Sequence, residues 1–215
     1  MEEIAYKVIR GRRRTLTLNV EKNGEVVVRA PLSLSDAEIS RFVKRHRRWV
    51  LKRLAARQNI PQISLADGER ITIFGKSYLL ATGRTRIAGD TVFLPQEGRA
   101  EALARLLKPF CYEPMFRLTQ QIAERYGFAF SRVRISSARS RWGSCNRERV
   151  IAYTFRLAFL PPEIIEYIAV HELCHTVCFN HSTAFWREVS RILPDYKVRR
   201  SNLKSYGYLM DLFLK

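Results

Sequence analysis

His171-Glu172-Leu173-Cys174-His175, with His181 six residues further on, decides how this chain reads. One helical turn separates His171 from His175, so on a helix both imidazoles share a face and Glu172 stands one position round, within reach of whatever they hold. Three of the four histidines fall within eleven residues, which favours a shared ligand over scattered packing roles. The pattern therefore predicts two metal ligands and a base on one helix. His181 offers a third nitrogen once the chain has turned back through Phe179-Asn180. The competing reading is a set of hydrogen-bonded core or surface histidines with no metal.

The run Pro161-Pro162-Glu163-Ile164-Ile165-Glu166-Tyr167-Ile168-Ala169-Val170 supports the helix, since proline is tolerated in a first turn and the apolar residues can bury the other faces. Three neutral imidazoles suit zinc and leave one coordination position for water, whose pKa falls towards neutrality. Glu172 is then the candidate general base, able to pass the proton on to a leaving group. A purely structural zinc is the alternative, although such sites more often use thiolates. Cys178 is the one competing ligand, because a helix continuing past His175 would carry its sulfur to the metal face. Four cysteines with no CxxC pair, two of them in or near the motif helix, and no secretory leader pattern point to a reducing cytoplasm.

Arg139-Ser140-Arg141-Trp142-Gly143-Ser144-Cys145, a strand-like stretch ending Arg156-Leu157, then Pro161, Tyr167 and HELCHTVCFNHSTAFW together resemble the YgjP-like zinc metallopeptidase family, which is related to the SprT-like and WLM metalloproteases. The resemblance runs in order along most of the chain and is densest from about Val133 to Trp186. It implies a zincin-like hydrolase domain with one Zn2+ ion, His171, His175 and His181 as ligands and Glu172 as base. Two positions depart from the family pattern. Cys174 replaces a small residue, and Tyr153-Thr154-Phe155 stands where a Leu-Asn-Trp type of run is usual, which makes Tyr153 a candidate for the cleft wall.

With 215 residues the chain can bury a substantial core. The fold class expected is α+β: a zincin-like catalytic domain whose HExxH core helix lies beside an antiparallel or mixed sheet, preceded by a β-rich region with one long basic helix. The expected domains are residues 1–95 and 96–215. In the first, alternation at Tyr6 to Ile9, Thr15 to Val20 and Glu25 to Arg29, with Asn23-Gly24 as a hairpin turn, predicts a small antiparallel sheet. Ser35-Asp36-Ala37-Glu38 is a capping box opening a helix from about 35 to 58. After Ile60-Pro61, short strands at about 70–74, 77–81 and 91–94 are expected to continue that sheet.

A helix over 99–124, split or kinked by Pro109 and Pro114, comes next. Val133 to Ser137 and Arg149 to Leu157 read as strands leading into the motif helix. By analogy with zinc peptidases of this build, Ile151 to Leu157 is the candidate edge strand for an extended peptide. Helices over 182–193, with Ser182 as cap, and over 195 to about 212 close the chain. Trp142, with Arg139 and Arg141, either lines the cleft or packs its own turn. Phe185 and Trp186 read as core at helical spacing, and His46 as a residue of the basic helix rather than a ligand.

Charge is strongly uneven. The chain carries 38 Lys and Arg against 20 Asp and Glu, a net +18, and residues 1–60 hold 15 basic and 6 acidic side chains. Arg41, Lys44, Arg45 and Arg48 flank the apolar stripe of the long helix and form a candidate polyanion contact, for nucleic acid or a nucleotide. Phosphate attraction carries no sequence code, and a solvated basic face needs no ligand at all. No apolar run is long enough for a membrane span. The function expected is a zinc-dependent hydrolase acting on a peptide or protein substrate. The alternatives are a zinc phosphohydrolase acting on nucleotides, with Arg139 and Arg141 holding charge, and a basic nucleic-acid-binding protein whose zinc site is not catalytic.

Overall fold

Val26, Val27 and Val28 are β-branched and favour a pleated strand, and all three are buried at the centre of the first sheet. The computed structural model describes residues 4–21, 24–58 and 63–211, and the chain divides into two compact units, residues 1–62 and 63–215. In the first unit β1 (Lys7–Gly11), β2 (Thr17–Val20) and β3 (Val26–Pro31) lie in the order β1-β3-β2. β2 is antiparallel to β3, but β1 is parallel to it, so the sheet is mixed rather than antiparallel. The valine run, apolar on both faces, takes the middle and leaves β1 to add on its far edge. Of the expected Asn23-Gly24 turn, Asn23 lies outside the described residues. Gly24 has φ 85, a conformation open to glycine, and its N–H donates to Glu21 O at 2.9 Å.

The capping box forms as read: Ser35 Oγ accepts from the Glu38 N–H, and Glu38 Oε2 accepts from the Ser35 N–H at 2.8 Å. The helix it opens is shorter than expected. α1 (Asp36–Arg45) stops at His46, whose Nδ1 donates to Phe42 O at 2.9 Å, and α2 (Arg47–Gln58) follows. Ile39 and Val43 of α1 bury against Val28 and Ala30, which fixes the apolar face and leaves the basic one in solvent. Ile60 and Pro61 lie outside the described residues.

The strands expected to extend the first sheet instead make a sheet of the second unit. β4 (Arg70–Ile73), β5 (Lys76–Thr82), β6 (Arg86–Ala88) and β7 (Thr91–Leu94) lie in the order β4-β5-β7-β6. The division thus falls at 62/63 and not at 95/96, because Ile71, Ile73, Leu80, Val92 and Leu94 share a core with Ala102, Leu103 and Leu107 of α3 (Arg99–Phe110). α3 gives way at Cys111 to α4 (Tyr112–Tyr126). Pro109 explains the break and Pro114, in the first turn of α4, costs no hydrogen bond.

A third, three-stranded sheet comprises β8 (Arg132–Ser136), β9 (Gly143–Cys145) and β10 (Val150–Thr154). Its order is β8-β10-β9, with β8 parallel and β9 antiparallel to β10. The candidate edge strand Ile151 to Leu157 is therefore corrected on two counts. β10 is central, and the chain beyond Thr154 is a 3₁₀ turn, Phe155–Phe159. Ile151, Ala152, Tyr153 and Thr154 of this central strand are all buried. The edge beside the motif is β9.

α5 (Pro162–Cys174) carries the motif through the middle of this unit. Ile164, Ile165, Tyr167, Ile168, Ala169, Val170 and Leu173 are buried, each large aliphatic adding about 1.5–3 kcal/mol relative to exposure. α4, β9, α6 (Thr183–Ile192) and α7 (Tyr196–Ser205) pack round it. Arg199 ties α7 to α5, donating to Glu163 O at 2.9 Å and Glu166 Oε2 at 2.6 Å. A 3₁₀ segment, Tyr206–Asp211, replaces the expected end of the last helix, and Leu212 lies outside the described residues. No helix of the described residues is long and apolar enough to cross a membrane.

Candidate active site

α5 ends at Cys174, and His175 is its C-terminal cap, with its N–H donating to His171 O at 3.3 Å. One turn of helix therefore brings the two rings together: His175 Nε2 lies 3.2 Å from His171 Nε2. The chain then turns through Val177-Cys178-Phe179 and presents His181, whose Nε2 lies 3.1 Å from the same atom. Among the described residues these three histidines are the group of metal-ligating side chains that converges, their ligand atoms all within 4.8 Å of one another. Two nitrogens each 2.0–2.1 Å from a tetrahedral zinc stand about 3.3 Å apart, close to the separations seen.

The donor chemistry fits a cation. His175 Nδ1 donates to Cys178 O at 2.9 Å, which leaves its Nε2 as a lone pair facing the other rings. A cation at the centre of the three rings would accept all three Nε2 lone pairs at once. Burial, reinforced by His175 and His181, pushes the His171 imidazole down to about 3, and burial lowers His175 as well. Both are neutral near pH 7, the form that binds metal. His171 Nδ1 is buried without a hydrogen-bond partner, so packing sets that ring: Phe185 meets it at 4.9 Å and Tyr167 at 6.0 Å. Phe185 also stacks on His175 at 4.4 Å, and Trp186 stacks on His181 at 5.6 Å and on Tyr196 at 5.4 Å. These aromatics are packing residues, and what they pack is the histidine cluster.

Cys178 contributes its carbonyl and not its sulfur to this arrangement, because the helix that would have aimed the thiol ends four residues earlier. Ser182 precedes α6 as its cap, but its side chain makes no capping bond; its N–H donates instead to Asn180 Oδ1 at 3.3 Å. His46 belongs to the first unit and is engaged there with Phe42.

Glu172 is 5% exposed and lines, with His171, Tyr167, Arg141, Trp142 and Gly143, a cavity of about 210 Å³. Burial pushes its carboxyl up to about 8, opposed by the Arg141 guanidinium. Gly143 is a site residue that is not among the candidates singled out from the residue pattern. A Cβ there would stand 2.5 Å from Glu172 Oε1 and 2.7 Å from its Cγ, so only glycine lets the carboxylate lie against β9. Its place next to the motif tryptophan was the only hint.

The other sequence candidates divide. Arg141 and Trp142 line the cavity, whereas Arg139 is exposed and does not line it. Tyr153 is not on the cleft wall: it is fully buried, with its hydroxyl 3.0 Å from Thr119 Oγ1. The segment that carries Arg141 and Trp142 is anchored from β10 and the turn after it. The Thr154 N–H donates to Trp142 O at 2.9 Å, Thr154 Oγ1 donates to Ala138 O at 2.9 Å, and buried Arg156 donates to Ser137 O at 3.3 Å. Arg41, Lys44, Arg45 and Arg48 are all exposed on α1 and α2.

No curated protein matches the chain. Among solved structures, the crystal structure of the metallopeptidase zymogen of Pyrococcus abyssi abylysin is similar at 24% identity over 42% of this chain and 92% of that one, with a TM-score of 0.40, a likeness too distant to fix fold or function. The family comparison is decisive, because it spans both the histidine cluster and the segment facing it. Residues 14–206 match the model of the YgjP-like metallopeptidase domain, and the chain belongs to that family.

Proposed function

We propose that this chain is a zinc-dependent peptidase with a zincin-like catalytic unit in residues 63–215, one ion held by His171, His175 and His181, and Glu172 as general base. The observation that carries the reading is the convergence of three histidines, the Nε2 atoms of His175 and His181 lying 3.2 and 3.1 Å from that of His171, beside a cavity that Glu172 lines. Zinc bound there supplies a Lewis acid that polarises a carbonyl and acidifies water. Glu172 takes the proton of the attacking water and delivers it to the leaving amine. Burial, which raises its pKa, suits the second step, since it favours the protonated carboxyl that donates to the amine. Arg141 and the dipositive charge pull the carboxyl the other way and keep it available as a base.

The peptide lies along the free edge of β9 and adds to the sheet by backbone hydrogen bonds. That edge sits directly over Glu172, because Gly143 at its start has no side chain to hold the strand off α5. Arg156 and Thr154 keep the strand's entrance in register. The four cysteines are free thiols, two of them fully buried, which suits a reducing compartment such as the cytoplasm.

A second reading draws on Arg141, which faces the same cavity with no ion pair of its own: a phosphoester, for example a nucleotide, would use that charge. One assay separates the two. Zinc-loaded wild type and Glu172→Gln are presented with unfolded proteins and with a nucleotide panel. Peptide-bond cleavage by the wild type, abolished in the variant, supports the peptidase; phosphate release without cleavage replaces it.

A further inference from the structure

β9 and β10 separate two faces. Register places Arg134 opposite Ala152, Ser136 opposite Thr154 and Ser144 opposite Ala152, so these residues share the face of the sheet turned away from α5. On that face lies a second cavity of about 240 Å³, walled by Arg134, Arg141, Ser136 and Ser144 and floored by Ala152 and Thr154. Small side chains on the central strand make the hollow, and two guanidiniums rim it. Neither the Arg134 nor the Arg141 side chain is in an ion pair or hydrogen bond, whereas other arginines of the described residues, Arg99, Arg156 and Arg199 among them, are anchored in this way. Arg141, Trp142 and Gly143 border both this hollow and the cavity of Glu172, so one short segment divides them.

We infer that this outer hollow is a subsite for an acidic side chain of the substrate, a proposal that rests on the peptidase reading above. An extended chain added to the free edge of β9 points alternate side chains to the two faces of the sheet. One set faces the histidine cluster. The residues between them face Ser144 and the hollow beyond it, where a carboxylate meets two fork-shaped donors and the Ser136 and Ser144 hydroxyls. The lining matches a carboxylate: the rim is cationic, two serines offer hydroxyls, and apart from Trp142 the apolar lining is limited to the small side chains of Ala138 and Ala152. Lysine or arginine at the same substrate position meets like charge. Selection for acidic residues is thus built into the strand that presents the peptide, at Ser144 next to the glycine against which Glu172 lies.

The test uses the zinc-loaded full chain and peptide sets in which single positions near the scissile bond are Glu, Gln or Lys. The wild type should favour Glu over Gln by about tenfold in kcat/KM at one position, a ratio expected for a charge-assisted hydrogen bond. Arg134→Gln should bring that ratio to about unity, and Arg134→Glu should invert it in favour of Lys. The same peptides, fluorescently labelled, are titrated against zinc-loaded Glu172→Gln with and without Arg134→Gln. Tighter binding of the Glu peptide, lost with Arg134→Gln, supports the subsite even if no peptide is cleaved, in which case the peptidase reading alone fails. Equal binding of Glu and Gln peptides, or an acidic preference that survives Arg134→Glu, overturns the subsite whichever way cleavage falls.

Discussion

α5 and the α1–α2 pair are both helical regions whose sequences announce a role, and they do so by opposite means. On α5 the information sits in single atoms. His171 and Glu172 are surrounded by buried neighbours, the first packed by Phe185 and Tyr167 and the second against the glycine of β9. On α1 and α2 it sits in a sum: Arg41, Lys44, Arg45 and Arg48 are exposed, and no one of them is placed by a partner in the way His175 is. A buried site should fail at one substitution, whereas an exposed charge field should fade by degrees.

The largest expected effect sharpens the first half of that contrast. Glu172→Gln should keep its zinc and its fold and lose at least about a hundredfold in turnover, a loss of the size expected for a general base. Turnover at equal metal occupancy measures it, and wild-type rates in the variant would remove Glu172 from the chemistry. Next in size is Gly143→Ala, a change of one methyl. The added carbon overlaps Glu172, so the carboxylate must rotate away or β9 must lift. Turnover should fall by about tenfold or more, as small displacements of a catalytic group do, with metal content unchanged. A fully active alanine variant would mean that Glu172 works from another position.

How much of this could be read from the sequence depends on the range of the interaction. The HExxH helix, its proline start and the capping box of α1 are local, and each is legible because spacing along one helix fixes which atoms meet. The break at His46 was not, since it depends on one imidazole turning back to Phe42 O. Strand order was not legible either. β10 is central because β8 arrives parallel from a segment some 18 residues back, as Val150 pairs with Arg132, and because the three residues of β9 add on the other side. No alternation pattern reports such pairing, and so Tyr153 looked like a wall of the cleft when it is its foundation. The unpaired state of Arg134 and the clearance at Gly143 are likewise properties of neighbours remote in sequence.

A smaller effect concerns pH after the metal is removed by a chelator. The Glu172 carboxyl, raised from 4.5 to about 8, favours the proton in the folded state, so its contribution is fully present below pH 4.5 and is lost as pH rises through 8. His171, lowered from 6.5 to about 3, acts oppositely and costs stability as pH falls below 6.5. Comparing metal-free wild type with Glu172→Gln isolates the first. The variant should match the wild type near pH 4.5 and exceed it increasingly towards pH 8, by a few kcal/mol at about 1.4 kcal/mol per tenfold change in acidity. Denaturant midpoints that stay level across this range would show that the carboxyl is better solvated than its burial indicates.

The smallest effects belong to α1 and α2. Each of Arg41, Lys44, Arg45 and Arg48 changed singly to Gln should alter binding to nucleic acid by no more than about twofold to threefold. All four changed to Glu should weaken it clearly and flatten its dependence on salt, because fewer counterions are released. Anisotropy titrations at several salt concentrations decide this. A single substitution that abolished binding would break the contrast, by showing a placed contact where the structure shows only a field.

Zinc stoichiometry across the three histidine variants tests the metal centre most directly. The wild type should bind one zinc per chain, and His171→Ala, His175→Ala and His181→Ala should each weaken it by more than about a hundredfold, beyond the loss seen when only a supporting partner is removed. Glu172→Gln, measured beside them, should bind as the wild type does. Full zinc affinity in His181→Ala, or equal loss in Glu172→Gln, would contradict a centre made of three imidazoles and a separate base.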